Sequence, residues 1–129
     1  MTPLIFLVDD DADFLDLGRR ILEARGYAVE CFAHPAQALE AIRRSRPALL
    51  VSDVMMDALD SGFSLAKSIK ADPALHGIPV IIVTAASRQR GFDFQPRTAE
   101  DLKAMNADAF FSKPVSPEAL VSKVQELLG

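Results

Sequence analysis

ALLVSDVMMD, at residues 48–57, is the stretch from which the fold of this chain can be inferred. Its first five residues are mostly apolar and rich in leucine and valine, as in a strand buried on both faces of a parallel sheet. Asp53 follows directly. Ligands of open α/β sheets bind just outside the carboxyl ends of the strands, where a carboxylate is costly to keep charged. Asp53 is therefore a candidate functional group, and the alternative is that it only caps a turn.

Four other short apolar runs predict strands, and the segments between the strands have apolar residues at helical spacing. The predicted strands are Leu4–Val8, Ala28–Phe32, the Asp53 strand, Pro79–Thr84 and Ala109–Phe111. Five helices are predicted. The first has its apolar positions at Phe14, Leu17, Ile21 and Leu22, and the other four begin after Pro35, Gly62, the Thr98–Asp101 capping box and Ser116-Pro117. Alternating strands and helices predict an α/β fold, a five-stranded parallel sheet with helices on both faces. We expect one domain over residues 1–129.

Composition narrows the class of protein. Of the 129 residues, 50% are hydrophobic and 25% are charged, which is typical of a globular domain. The net charge of −4 argues against nonspecific binding to nucleic acid or to an anionic membrane. The single cysteine excludes an intrachain disulfide and a cysteine metal site, and it suits a reducing compartment. With no apolar run of transmembrane length and no signal peptide visible, we expect a cytoplasmic protein.

Polar residues stand at the ends of four predicted strands: Asp9 and Asp10, Asp53, Thr84, and Lys113. If those strands lie side by side, these side chains converge on one crevice. Three crowded carboxylates repel one another unless a cation joins them, and Mg²⁺ suits such a site. A lysine and a hydroxyl facing that ion fit a phosphoryl group, and a carboxylate can act as its nucleophile. Asp53 is the candidate for an aspartyl-phosphate.

These positions carry a family resemblance. VDD at residues 8–10, SD at 52–53, VTA at 83–85 and KP at 113–114 resemble the receiver domain of bacterial two-component response regulators, with similarity from about residue 3 to 128. The resemblance implies a flavodoxin-like strand order, 2-1-3-4-5. It also implies that Asp53 accepts a phosphoryl group from a sensor histidine kinase or a phosphotransfer protein.

The resemblance assigns roles to the residues around Asp53. Asp10 would ligate Mg²⁺ directly and Asp9 would hold its water shell. Asp53 would be a further ligand, and Met55 would give its backbone carbonyl. Lys113 would pair with the phosphate.

Thr84 and Phe110 match the switch pair of the family. Thr84 would move to hydrogen-bond the phosphate, and the aromatic ring of Phe110 would turn into the space behind it; the alternative is that Phe110 is simply core. The Lys113–Pro114 peptide would be cis. Output would pass by protein contact through the face formed by the fourth helix, the fifth strand and the fifth helix. The downstream target is unknown, and a homodimer through that same face is left open.

Two segments depart from the pattern of the family. Met56-Asp57 stands where Met-Pro is usual, so Asp57 either adds charge beside the metal or belongs to a solvated acidic loop. Residues 85–97 are longer than usual, and their phenylalanines Phe92 and Phe94 indicate either a lid or a partner contact. We hypothesise that phosphorylation orders or moves this loop.

Two alternatives to the switch are weighed. One is a scaffold receiver that is never phosphorylated. The other is a phosphatase of the haloacid-dehalogenase type, whose nucleophile motif Asp9-x-Asp11 mimics. That family needs a further acidic pair after the lysine, whereas here only Glu118 and Glu126 follow, on the last predicted helix. We therefore expect a signalling domain whose chemistry is limited to its own Asp53, not an enzyme.

Overall fold

The computed structural model describes residues 2–52, 61–84, 107–112 and 115–128. Its strands are β1 (Leu4–Val8), β2 (Ala28–Phe32), β3 (Leu49–Ser52), β4 (Val80–Thr84) and β5 (Ala109–Ser112). The helices within these ranges are α1 (Ala12–Ala24), α2 (Pro35–Ser45), α3 (Ser61–Ala71) and α4 (Pro117–Leu128). The helix predicted from Thr98 and Asp101 lies outside the described residues, so α4 is the fifth predicted helix. Predicted and observed strands agree to within one residue at each end.

The five strands form one sheet in the order β2-β1-β3-β4-β5, and every pair is parallel. The flavodoxin-like order implied by the family resemblance is therefore confirmed. It places β1, β3, β4 and β5 side by side, with β2 at one edge and β5 at the other.

Two hydrophobic clusters cover the two faces of the sheet, because alternate residues of a strand point to opposite sides. Phe6, Leu50 and Ile82 belong to the first cluster, together with buried residues of α2 and α3. Leu7, Val51 and the buried residues of α1 and α4 belong to the second. Helices therefore lie on both faces, as predicted.

One residue of the predicted apolar stripe of α1 is placed differently. Leu17 follows the helical spacing of Phe14 and Leu22, yet 52% of its surface is exposed. Gly18, next to it, is buried, and a Cβ built there would lie 3.0 Å from Leu7 Cδ1. The helix approaches β1 at the glycine, which the apolar pattern does not count, and so turns Leu17 outward.

Local signals set where the first two helices end. Gly26 has a φ of +93°, a conformation that glycine adopts at little cost, directly after the C-cap of α1. Arg46 closes α2 in a left-handed conformation, and its N–H donates to the carbonyl of Ile42. Pro35 occupies the first turn of α2, where its missing N–H costs nothing. Among the described helices, none has the combined length and apolar character that crossing a bilayer requires.

Candidate functional site

The carboxyl edge of the sheet brings together the strand ends on which the predicted site depends. Val8 at the end of β1 is paired in register with Ser52 at the end of β3, and Asp9 and Asp53 are the next residues in the sequence. Neighbouring strands lie about 4.8 Å apart, so the ends of β1 and β3 are adjacent. The predicted convergence of the polar side chains required these strands to lie side by side, and they do.

The far side of the same edge is formed by β4 and β5. Thr84 at the end of β4 is paired in register with Ser112, the last residue of β5, and Lys113 follows Ser112 in the sequence. β3 and β5 are separated only by β4, a span of about 10 Å between backbones. The ends of β3 and β5 therefore lie at the same edge of the sheet, one strand apart.

Asp9 is a fully buried carboxylic acid, with 0% of its surface exposed. Its backbone N–H donates to the carbonyl of Phe32 at 3.0 Å, which extends the pairing of β1 with β2 by one residue. Its Oδ1 accepts a hydrogen bond from the backbone N–H of Asp11 at 2.8 Å. A buried carboxylate held in this way is oriented by the backbone and not by the solvent.

Asp11 turns the chain from β1 into α1. It is the N-cap of the helix, and its Oδ1 accepts from the backbone N–H groups of Asp13 at 3.0 Å and Phe14 at 3.3 Å. Asp10, which lies between the buried Asp9 and the capping Asp11, is exposed. The turn therefore presents one exposed carboxylate directly beside one buried carboxylate at the carboxyl edge.

These two carboxylates fit a hard divalent cation, because Mg²⁺ prefers oxygen ligands and usually keeps several waters. Asp9 and Asp10 supply two of the acids predicted for the site. Within the ranges that the structure describes, no group of three or more His, Cys, Asp or Glu residues is arranged to hold a metal ion. The predicted third acid, Asp53, lies outside those ranges.

Phe110, the predicted aromatic of the switch, lies on β5 and pairs in register with Ile82 of β4. Its side chain is partly buried and packs against the hydrophobic cluster of α2 and α3. The neighbouring Phe111 packs against the opposite cluster, the one with α1 and α4. Phe110 therefore contributes to core packing in this structure, and the inward turn of its ring stays a prediction.

The other predicted site residues lie outside the described residues. They are Asp53, Met55, Lys113 and Pro114, together with the cis peptide, Asp57 and the loop at 85–97. The backbone of Thr84 ends β4, whereas its side chain also lies outside the description. Their roles stay predictions.

Two features near the sheet edges were missed by the sequence reasoning. The first is the capping role of Asp11, although an aspartate just before an apolar-periodic segment is a recognisable N-cap signal. The second is at the amino edge, where Lys70 Nζ lies 3.0 Å from Asp108 Oδ2 and 2.9 Å from the carbonyl oxygen of Ile78. Lys70 and Asp108 are 38 positions apart, so no local pattern connects them.

Among the described residues outside the acidic turn, two titratable groups have shifted pKa values. Burial raises the pKa of the Cys31 thiol, which lies on β2. The hydroxyl of Ser116 donates to the carboxylate of Glu118 at 2.9 Å and lowers its pKa, with help from the Glu118 backbone N–H. The charges that contribute to these shifts are Arg19, Glu23 and Asp16 for Cys31 and Arg25 for Glu118, so neither shift comes from the acidic turn.

Comparisons with known proteins agree with this geometry. The chain is 36% identical over 125 residues to an uncharacterized 14.6 kDa protein of Leptolyngbya boryana, covering 95% of this chain and 87% of that one. It is 30% identical over 129 residues to the polar-differentiation response regulator DivK of Brucella anthropi, covering 100% and 98%. A putative response regulator from Chloroflexus aurantiacus superimposes with a TM-score of 0.83 at 25% identity, covering 99% and 98%.

The response regulator receiver domain family matches residues 5–125, almost the whole chain. Receiver domains are signalling domains of two-component systems that interact with histidine kinases or phosphotransfer proteins. The expectation of a signalling domain is confirmed at this level. By its sequence and its fold, this chain belongs to the response regulator receiver domain family.

Proposed function

We propose that the chain is a phosphorylation-dependent switch in which Asp53 accepts a phosphoryl group from a histidine kinase or a phosphotransfer protein. The observation that supports this most directly is the register of Val8 with Ser52, because it aligns the strands that lead into Asp9 and Asp53. The buried Asp9 and the exposed Asp10 supply the acidic surroundings that such a site needs.

The proposed reaction is a transfer between two side chains. A carboxylate oxygen of Asp53 attacks the phosphorus of a phosphohistidine, a new P–O bond forms, and the P–N bond breaks. The electron pair of the broken bond stays on the imidazole of the donor. When bound, Mg²⁺ supplies positive charge for the phosphoryl oxygens.

The ligands of that ion are assigned residue by residue. Asp10, being exposed, would bind Mg²⁺ directly, and the buried Asp9 would act through a water molecule. Asp53 and the backbone carbonyl of Met55 would complete the protein ligands. This division matches the different burial of the two neighbouring acids.

Three residues, one each on β4 and β5 and one directly after β5, would respond to the new charge. The ammonium group of Lys113 would pair with the phosphoryl oxygens, and the hydroxyl of Thr84 would donate to one of them. Phe110 would turn into the space behind Thr84. Both Phe110 and the residue that precedes Lys113 lie on β5. A movement of this strand would therefore change the surface at its edge of the sheet.

We place the output surface on the face formed by the predicted helix that follows residue 98, β5 and α4. Phosphorylation would change how this face contacts a downstream protein, or a second copy of the chain. The long segment at 85–97 leads into the same face in the sequence.

The experiment is to incubate the protein with Mg²⁺ and acetyl phosphate or phosphoramidate and to detect the adduct by intact-protein mass spectrometry. We expect an acid-stable, base-labile phosphate in the wild type and none in Asp53→Asn. Asp108→Asn is the matched control, since it changes an aspartate at the opposite edge of the sheet and should keep the adduct.

Three outcomes would contradict the proposal. An adduct that survives in Asp53→Asn would place the phosphate elsewhere. No adduct with either donor, or with a phosphorylated kinase, would favour the scaffold. Steady turnover of unrelated phosphate esters would favour the phosphatase.

A further inference from the structure

We infer that Asp11 is a positioning residue: by capping α1 it holds the backbone N–H that orients the buried carboxylate of Asp9. The expected effect on Mg²⁺ binding rests on the proposed function, whereas the coupling between the cap of α1 and the Asp9 carboxylate does not. Asp11 would contact neither the ion nor the phosphoryl group, and would act only through Asp9 and the turn.

The first step is the cap. The Oδ1 atom of Asp11 accepts from the N–H groups of Asp13 and Phe14, two of the four that an α-helix leaves without a partner in its first turn. The carbonyl of Asp11 also accepts from the N–H of Leu15 at 3.1 Å, the first bond of the helix. The residue is therefore fixed to α1 through its side chain and through its carbonyl.

The second step is the contact with Asp9. The remaining backbone group of Asp11, its N–H, points back along the chain and donates to Asp9 Oδ1 at 2.8 Å. Asp9 is 0% exposed, so this amide takes the place of solvent at that oxygen. Because the side chain and the carbonyl of Asp11 are bonded to α1, a backbone rotation that turns the N–H away from Asp9 has to break these bonds, so the cap opposes it.

The third step joins the two. All of these hydrogen bonds belong to one residue, and therefore loss of the cap removes a restraint on the backbone N–H that donates to Asp9. The exposed Asp10 is held between them, with its backbone fixed on both sides. A loose turn would leave the two carboxylates free to separate, and a metal ion would then have to restore their order on binding.

The test compares Asp11→Ser with Asp11→Ala. Both substitutions remove the same charge, but only serine keeps an oxygen that can cap the helix. Amide hydrogen exchange, measured by NMR without metal and corrected for intrinsic rates, should speed up about fivefold at residue 11 in the alanine variant. In the serine variant it should stay within about twofold of the wild type.

Gly26→Ala is the stability-matched control. It strains the opposite end of the same helix, where φ is +93°, at a cost similar to the loss of a cap. Exchange at residue 11 should not respond to it. Equal exchange at residue 11 in the serine and alanine variants would overturn the inference.

The second readout is Mg²⁺ affinity by titration calorimetry on the folded protein. We expect the alanine variant to bind about fivefold more weakly than the serine variant, below the ten- to hundredfold typical when an outer-shell partner is removed, because the N–H itself remains. Equal affinities would overturn the inference. If the wild type binds no Mg²⁺, the proposed function fails, and the exchange comparison still decides the inference.

Discussion

The aspartates at the two edges of the sheet differ in exposure: Asp108 at the amino edge is exposed, whereas Asp9 at the carboxyl edge is fully buried. At the amino edge, Asp108 Oδ2 accepts from the ammonium group of Lys70 at 3.0 Å and from the N–H of Val80 at 2.8 Å. At the carboxyl edge, the described hydrogen bonds of Asp9 and Asp11 run to backbone amides. The lysine offsets the charge of Asp108, whereas the amides orient Asp9 beside the exposed carboxylate of Asp10.

The difference separates a structural use of aspartate from a functional one. Lys70 and Asp108 join the end of α3 to the start of β4 and to the residue before β5. Asp10 places an exposed carboxylate beside the buried Asp9 on an ordered turn, and oxygen ligands of this kind suit a hard cation. Substitutions can test this comparison. At the carboxyl edge they should change Mg²⁺ affinity and not stability, and at the amino edge they should change stability and not Mg²⁺ affinity.

The largest effect is expected for Asp10→Asn at the carboxyl edge. Loss of a directly bound carboxylate should weaken Mg²⁺ binding at least about tenfold. Because the residue is exposed, the free energy of unfolding should stay within about 0.5 kcal/mol of the wild type. Titration calorimetry and urea unfolding measure the two quantities. Unchanged Mg²⁺ affinity would remove Asp10 from the site.

The opposite pattern is expected for Asp108 at the amino edge. Asp108→Ala should lower the free energy of unfolding by about 2 kcal/mol, mainly because it leaves the part-buried N–H of Val80 without its acceptor. Asp108→Asn keeps an oxygen for that N–H and should cost about 1 kcal/mol or less, since the ion pair is partly exposed and screened.

Neither Asp108 variant should change Mg²⁺ affinity measured on the folded protein. Urea unfolding monitored by circular dichroism gives the stabilities, and calorimetry gives the affinities. An asparagine variant as unstable as the alanine variant would assign the effect to the ion pair with Lys70 instead of the hydrogen bond to Val80. A change in Mg²⁺ affinity would contradict the separation of the two edges.

The strands and the described helices could be predicted because their signals are local. Apolar runs predicted the strands to within a residue, and Pro35 and Pro117 marked helix starts that the structure confirms. The strand order is a long-range property, and it came from the family resemblance alone. Local periodicity misled at Leu17, where the small Gly18 takes the position against β1.

The candidate site was predictable in part for the same reason. Asp9 and Asp10 follow an apolar strand, so their place at the carboxyl edge could be read from the sequence. The pairing of Lys70 with Asp108 could not, because it depends on how α3 and β5 pack and has no periodicity of its own. The hydrogen bond from Asp11 to Asp9 depends on the turn between β1 and α1, which the residue types do not specify.

The smallest effect concerns Glu118, an exposed carboxylate on α4 that accepts a hydrogen bond from the nearby Ser116 hydroxyl. The Ser116 hydroxyl holds its pKa below the ordinary glutamate value of about 4.3. The native state therefore gains stability from the ionised group above about pH 4.3, and this gain is lost as the pH falls through the lower pKa of the folded protein. Wild-type protein should lose more stability over that acid interval than Glu118→Gln, as measured by urea midpoints at each pH.

Ser116→Ala shows whether the cause is the hydroxyl. It removes the donor to Glu118 and also the acceptor for the N–H of Ala119, so the carboxyl titration of Glu118, followed by NMR, should move up toward the ordinary value. Mg²⁺ affinity should be the same in the wild type and in both variants, because the Glu118 carboxylate is already used by the cap of α4. A Glu118→Gln variant with weaker Mg²⁺ binding would show that the carboxyl-edge site extends to α4, and that an acid can serve both a cap and a cation.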